Sequence, residues 1–171
     1  DDNLDFLRRN VDLNQAGMVS VHPLAAGKSR GIRQFHITES SDSDGFYPHP
    51  SAKTVHIVEL EEVPLDEVID GHVHAIKIDV EGAELEVLQG MQRILSDRPE
   101  WLCIEWNPAC MKSAGNDPLS LIDCLNDLGY GSIRALDDLQ RRLRNLGDVV
   151  AFVRSGAAPQ FWYVNLFAMR G

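Results

Sequence analysis

The chain has 171 residues, 44% of them hydrophobic and 25% charged, and a formal net charge of −10. This is the profile of one ordinary globular domain able to bury a core. It contains no apolar run near the roughly 20 residues that span a bilayer, and so much negative charge repels a phosphate backbone; neither a membrane nor a nucleic acid is an expected partner.

The N-terminal segment "DDNLDFLRRN" is acidic and then amphipathic, unlike a signal peptide, which points to the cytoplasm. In "LDFLRRNVDLN", Leu4, Leu7 and Val11 share one helical face with Phe6 beside it, so a helix is predicted. "MVSVHPL" alternates and stops at Pro23, which predicts a short strand. "GIRQFHI" alternates in the same way and predicts a second strand. The Ser-, Asp-, Gly- and Pro-rich residues from 38 to 54 predict a loop long enough to suggest a functional role. His49 lies in it beside Phe46 and Tyr47; a solvated loop histidine is the favoured reading and a place in an acceptor-side lid the alternative. "TVHIVELEEV" reads as a strand and "PLDEVID" as a short helix opened by Pro64 and closed by Gly71.

The period then changes inside "HAIKIDVEGAELEVLQGM". Residues 73–80 alternate as a strand, and Val87, Leu88, Met91, Ile94 and Leu95 recur as one helical face over 83–95. "EWLCIEWN" predicts a strand, and "DPLSLIDCLNDLGY" a helix with Asp117 as N-cap and Gly129 as its C-terminal signal. "GSIRAL" reads as a strand. Residues 137–153 begin as a helix and continue as helix or strand, with the basic run 140–145 on a solvated helix face. "QFWYVNLFAMR" is rich in aromatic and β-branched residues and reads as a strand. Strand and helix alternate from Gly71 onward, which predicts one α/β domain over 1–171 with a largely parallel sheet. Its strands at 74–80 and 101–106 are expected to be parallel neighbours joined by the 83–95 helix.

Chemistry concentrates at the strand ends. Asp79 closes the first of those two strands, and Glu105 falls at the end of the next. Both therefore lie where open α/β sheets place their ligands. Gly82 permits a sharp turn into the helix. Glu81 and Glu84 sit at the helix start, where acids also serve as caps. Lys77 shares a face with Asp79 and is a structural ion partner for it. Such carboxylates can orient a hydroxyl or amine, bind a cation or act as general base; spacing alone does not choose among these. His72 and His74 share one side of a strand without a third ligand nearby. Cys103, Cys110 and Cys124 form no CxxC pattern, so no metal site is expected. Trp101, Trp106 and Trp162 read as packing residues.

"IKIDVEGAELEVLQGM" resembles the core signature of the FkbM-like methyltransferases, class I enzymes that use S-adenosylmethionine. The segments "VHPLAAGKSRG", "VPLDEVID", "PEWLCIEW", "LNDLGY" and "VNLFAMR" resemble other parts of that family in the same order. The resemblance implies a Rossmann-like class I methyltransferase sheet and O-methylation of a small-molecule or sugar hydroxyl. It implies Leu24 and Ala25 near the adenine, Asp79 and Glu81 at the methyl-transfer cleft with Glu105 as a third catalytic carboxylate, and Lys77 and Asn107 beside the acceptor. The family's glycine-rich cofactor loop has no counterpart in 1–171. On this reading the domain is N-terminally truncated, lacking its first two strands. A non-catalytic methyltransferase-fold interaction module is the rival reading, and a metal-dependent hydrolase built on Asp79, Glu81 and Glu105 ranks last.

Overall fold

In the computed structural model, residues 2–137 and 142–170 are described. Helix α1, Asp2–Leu13, forms as its periodicity predicts. Its apolar stripe finds little cover, with Phe6 61% and Leu7 48% exposed. The predicted strand at 18–24 does not form; only Ala25–Ala26 pair, as β1. Alternation over 18–24 supplies the right side-chain pattern, but a strand also needs a neighbour to accept its backbone hydrogen bonds.

Strands β2, Gly31–Thr38, and β3, Thr54–Val63, form an antiparallel hairpin, with β1 parallel to β3 on its far edge. The 39–53 connection is a loop as expected, with one short 3-10 turn at Ser41–Ser43. "PLDEVID" condenses to a single 3-10 turn, Leu65–Glu67, in place of the expected helix. Asp66 explains the difference, because its carboxylate is committed elsewhere. It accepts from Arg93 N–H at 2.7 Å and Ile94 N–H at 3.0 Å.

The second sheet runs β4-β5-β8-β6-β7. Its strands are β4 (Ala75–Ile78), β5 (Trp101–Trp106), β6 (Ser132–Asp137), β7 (Arg142–Asn145) and β8 (Val164–Met169). β4 and β5 are parallel neighbours, with Ala75 opposite Trp101, as predicted. The sheet is nevertheless not largely parallel. β8 inserts antiparallel between β5 and β6, and β7 is antiparallel to β6. β4, β5 and β6 thus point one way and β7 and β8 the other. Composition marked β8 as a strand but carries no information about its direction.

The predicted 83–95 helix is two short helices, α2 (Glu84–Gln89) and α3 (Gln92–Ser96). The break is tertiary in origin. A Cβ on Gly90 would lie 1.9 Å from the Gly27 carbonyl oxygen. Gly90 C=O accepts from Asp66 N–H, and the Asp66 carboxylate caps the first turn of α3. Asp66→Ala is expected to cost ~1–2 kcal/mol in chemical denaturation, the scale of a lost helix cap. An unchanged transition midpoint would reject that role.

The sequence reading missed α4, Pro108–Ser113. The Asn107 side chain accepts from Ala109 and Cys110 N–H, and Pro108 sits at the first helical position, a standard helix opening. Helix α5, Ser120–Asp127, starts later than expected; Asp117 instead closes a turn by accepting from Leu119 N–H at 3.0 Å. Gly129 follows α5 as predicted.

The start of the ambiguous 137–153 segment falls partly outside the described residues, as do Gln140 and Arg141 of the basic run. The rest is strand β7 followed by α6, Leu146–Arg154, so the basic residues 142–145 lie on a strand and not on a helix face. Arg144 pairs with buried Asp137 at 3.3 Å.

The core packs α2, α3, α5 and α6 on this sheet around Leu88, Leu102, Ile104, Leu125 and Leu166. Trp106 and Trp162 are core residues, as expected. Trp106 donates its indole N–H to Pro118 C=O at 2.9 Å, while Trp101 is 42% exposed on the sheet. No helix among the described residues is long and apolar enough to cross a membrane.

Candidate active site

β4 alternates as its sequence requires: Ile78 is buried and Lys77 exposed. The strand ends, and Asp79 projects from its carboxyl end. Its carboxylate meets Lys77 Nζ at 2.5 Å, with both side chains about half exposed. The expected ion pair therefore exists, and Lys77 serves it. The chain then turns through two left-handed residues, Glu81 at φ +50 and Gly82 at φ +102. Gly82 has a second reason to be glycine, since a Cβ there would lie 2.6 Å from the Cys110 carbonyl oxygen on α4. Glu81 has no such freedom. A non-glycine residue held in this region stores strain, of order 1 kcal/mol or more, and the strain aims its side chain across the strand ends.

Asp79, Glu81 and Glu105 converge there, with one carboxylate oxygen from each lying within 4.8 Å of the others. They line a cavity of about 320 Å³ with Asn107, Phe161 and Tyr163. Asp42, Ser43, His49 and Ser51 of the 39–53 loop close its other side. The strand-end reading thus brought its carboxylates together correctly. It missed the loop. His49 is not solvated: its side chain is only 8% exposed, and Nε2 stands 3.5 Å from Glu81 Oε2. The sequence around His49 is polar and loop-like, and nothing local signals this contact.

Hydrogen bonds define the proton positions. Ser51 N–H donates to His49 Nδ1 at 3.2 Å. In the neutral ring the proton is then on Nε2, the atom facing Glu81. Burial lowers the His49 pKa, with a smaller opposing effect from Asp42, so the neutral ring prevails near pH 7. Cys110 Sγ–H donates to the same Glu81 Oε2 at 3.3 Å. Burial first, and then the Glu81 charge, push the Cys110 thiol up, so it stays protonated. Cys110 thus holds Oε2 by a hydrogen bond, with the His49 ring standing 3.5 Å from the same oxygen.

Desolvation raises the Glu81 pKa; the Cys110 bond opposes this and the charge on Asp79 adds to it. Glu105 is pushed up to about 8, by burial first and then by Asp79 and Glu81. Glu84 lies deeper, 2% exposed. Its Oε1 accepts from Gly82 N–H at 3.0 Å, and burial lifts it to about 7. It braces the turn in the capping role considered for it.

Two donor sets have ligand spacing, His49–Glu81–Cys110 and Asp79–Glu81–Glu105. The first combines an imidazole, a thiol and a carboxylate, and a metal bound there would displace the Nε2 and Sγ protons. The second offers hard oxygen donors of the kind Mg²⁺ prefers, and the same atoms equally form a proton-sharing cluster. His72 and His74 lie edge to face with ring centroids 4.5 Å apart, and neither belongs to either set.

A second, mostly apolar groove of about 270 Å³ opens along β4, walled by Ala26, Leu65, Ile76, Ile78, Val80, Val87 and Met91 together with Lys77, the ion partner of Asp79. Asp79 lines this groove as well as the polar cavity. Ala25 pairs with Glu62 in the β1–β3 ladder, and half-buried Leu24 precedes it. Their neighbour Ala26, rather than either of them, lines the groove. Asn107 lines the polar cavity while its carbonyl oxygen caps α4.

The family model of the methyltransferase FkbM domain matches residues 4–131. Among solved structures, the crystal structure of Methyltransferase FkbM from Methylobacillus flagellatus KT is similar, with 22% identity and a TM-score of 0.50. The match covers 96% of this chain and 32% of that one, so the chain spans about a third of that neighbour's length. No curated protein matches.

Proposed function

We propose, from the premise that this chain belongs to the methyltransferase FkbM domain family, that its site transfers a methyl group from S-adenosylmethionine to a hydroxyl of a small, uncharged or polyhydroxylated acceptor. One observation carries the reading: an apolar groove and an acidic cavity meet at Asp79, at the carboxyl end of β4. The groove is the donor side. Its aliphatic walls suit an adenosyl group, and the Asp79 carboxylate suits a cationic sulfonium. When bound, the donor supplies an already activated methyl. The cavity is the acceptor side of a Rossmann-like sheet.

The chain's own residues then have limited tasks. Asp79 and Glu105 orient the acceptor. Glu81 Oε1 takes the hydroxyl proton as the oxygen–methyl bond forms and the sulfur–methyl bond breaks, leaving a neutral thioether. Among the described residues the cavity lining contains four carboxylates, Asp42, Asp79, Glu81 and Glu105, and no Lys or Arg. Phosphorylated or carboxylated acceptors are therefore disfavoured.

The protein carrying these residues is expected to label hydroxyl acceptors with methyl from radiolabelled S-adenosylmethionine. Labelling confined to amines or thiols, or no donor-dependent labelling, would reject the reading. Residues 1–171 contain no GxGxxG-type turn, so isothermal titration of this chain alone should show weak donor binding. Tight stoichiometric binding would mean that the groove holds the donor without such a turn.

A further inference from the structure

The 39–53 loop is built in two parts. Its base folds on itself: His36 and Gly45 exchange backbone hydrogen bonds of 2.8 and 3.1 Å, and Asp44 accepts from Thr38 N–H at 2.7 Å. Beyond Gly45 the chain leaves the hairpin, crosses to the strand ends and delivers His49. Side chains from other elements hold that crossing. Tyr47 Oη donates to Glu86 Oε1 on α2 at 2.6 Å. Glu86 Oε2 is held by Arg33 of β2 at 2.6 Å, and Arg33 also reaches Glu62 of β3 at 3.1 Å. The Arg33 guanidinium lies 4.1 Å from the Phe46 ring centroid, a cation–π distance. On the other side, Ser113 Oγ of α4 donates to Pro48 C=O at 2.5 Å. The loop is thus fastened to α2 and α4, the helices that flank the Glu81 turn.

We propose that Tyr47, through Glu86 and Arg33, is a positioning residue that seats the loop on the cavity and keeps the His49 ring against Glu81. The inference rests on the methyl-transfer reading above for its catalytic consequence, while the positioning itself is measurable without turnover. The groups facing His49 are Glu81 from the β4–α2 turn, the Cys110 thiol from α4, and Asp42 and Ser51 from its own loop; Asp79 and Glu105 line the same cavity.

The test is an NMR titration of His49 in the intact chain, with its signal assigned by loss in His49→Gln. Tyr47→Phe removes one hydroxyl. It is expected to release the ring toward solvent and raise the His49 midpoint toward the ordinary value, because the burial that lowers it is lost. Glu86→Ala breaks the same contact from the other side and should give the same shift, which keeps the test open if one variant folds poorly. Arg30→Gln is the structural control. Arg30 pairs with Glu61 of β3 and Glu67 of the 3-10 turn that follows it, neither of them in the 39–53 loop, and its loss should leave the His49 midpoint in place. A wild-type His49 midpoint in both Tyr47→Phe and Glu86→Ala overturns the proposal, and so does an equal shift in Arg30→Gln. Methyl transfer should fall roughly tenfold in Tyr47→Phe. A shifted His49 supports the positioning role whatever the turnover, whereas donor-dependent labelling that is absent from the donor-binding protein carrying these residues rejects the methyl-transfer reading instead.

Discussion

Glu81→Gln is expected to lower methyl transfer by roughly 10²- to 10⁴-fold, the range for a positioned general base. Gln keeps the shape of the side chain and can still accept from Cys110 through its carbonyl oxygen, so the fold should be retained. It replaces Oε1 with an amide nitrogen that cannot take a proton. The pH dependence gives an independent reading. Burial raises the Glu81 pKa above the ordinary carboxylate value, and the group works as a base only when deprotonated. Turnover should therefore rise with pH through that raised value. In Glu81→Gln this limb should vanish, and the remaining slow rate should be flat across it. Near-wild-type turnover, or an unchanged acid limb, would move the base to Glu105. Glu105 is half-buried in the same cavity and is pushed up to about 8, so a limb near that pH would identify it.

The parts of this site that were legible in the sequence share one property: they are fixed by local alternation. The period-two pattern of Ile76, Lys77, Ile78 and Asp79 determines which residue reaches the strand end. The same pattern in "WLCIEW" brings Glu105 to the neighbouring end, and the parallel pairing of β4 with β5 follows from the short crossover between them. What was not legible depends on contacts far apart in the chain. The helix over 83–95 breaks because Gly90 lies against Gly27 and because Asp66, more than 25 residues upstream, caps the second half. His49 reaches Glu81 through Tyr47–Glu86 and Ser113–Pro48, 39 and 65 residues apart. No local pattern encodes those distances. Helix α4 belongs to neither group. Asn107 followed by Pro108 is a legible N-cap and first-turn pair, and it would have placed Cys110 one turn in, next to the acidic cluster.

Asp79→Asn separates a structural from a functional carboxylate at the junction of groove and cavity. The Lys77–Asp79 pair is short, but its partners are 55% and 43% exposed. Exposed pairs of this kind contribute roughly 0–1 kcal/mol. If the pair were the whole role of Asp79, the Asn variant would unfold slightly earlier and turn over normally. The position argues otherwise. Asp79 lines both concavities, and its charge is felt by Glu81 and Glu105, whose pKa values it helps to raise. Removing that charge withdraws a partner for the sulfonium and the acceptor, and it also lowers the basicity of the neighbouring carboxylates. Turnover per folded molecule is therefore expected to fall by roughly 10²-fold, with little change in thermal unfolding. The acid limb of the pH–rate profile should shift downward, because Glu81 and Glu105 lose a like-charge neighbour. Measuring methyl transfer, its pH profile and thermal unfolding on one preparation decides the matter. Normal turnover with an unmoved acid limb would reduce Asp79 to the counter-ion of Lys77.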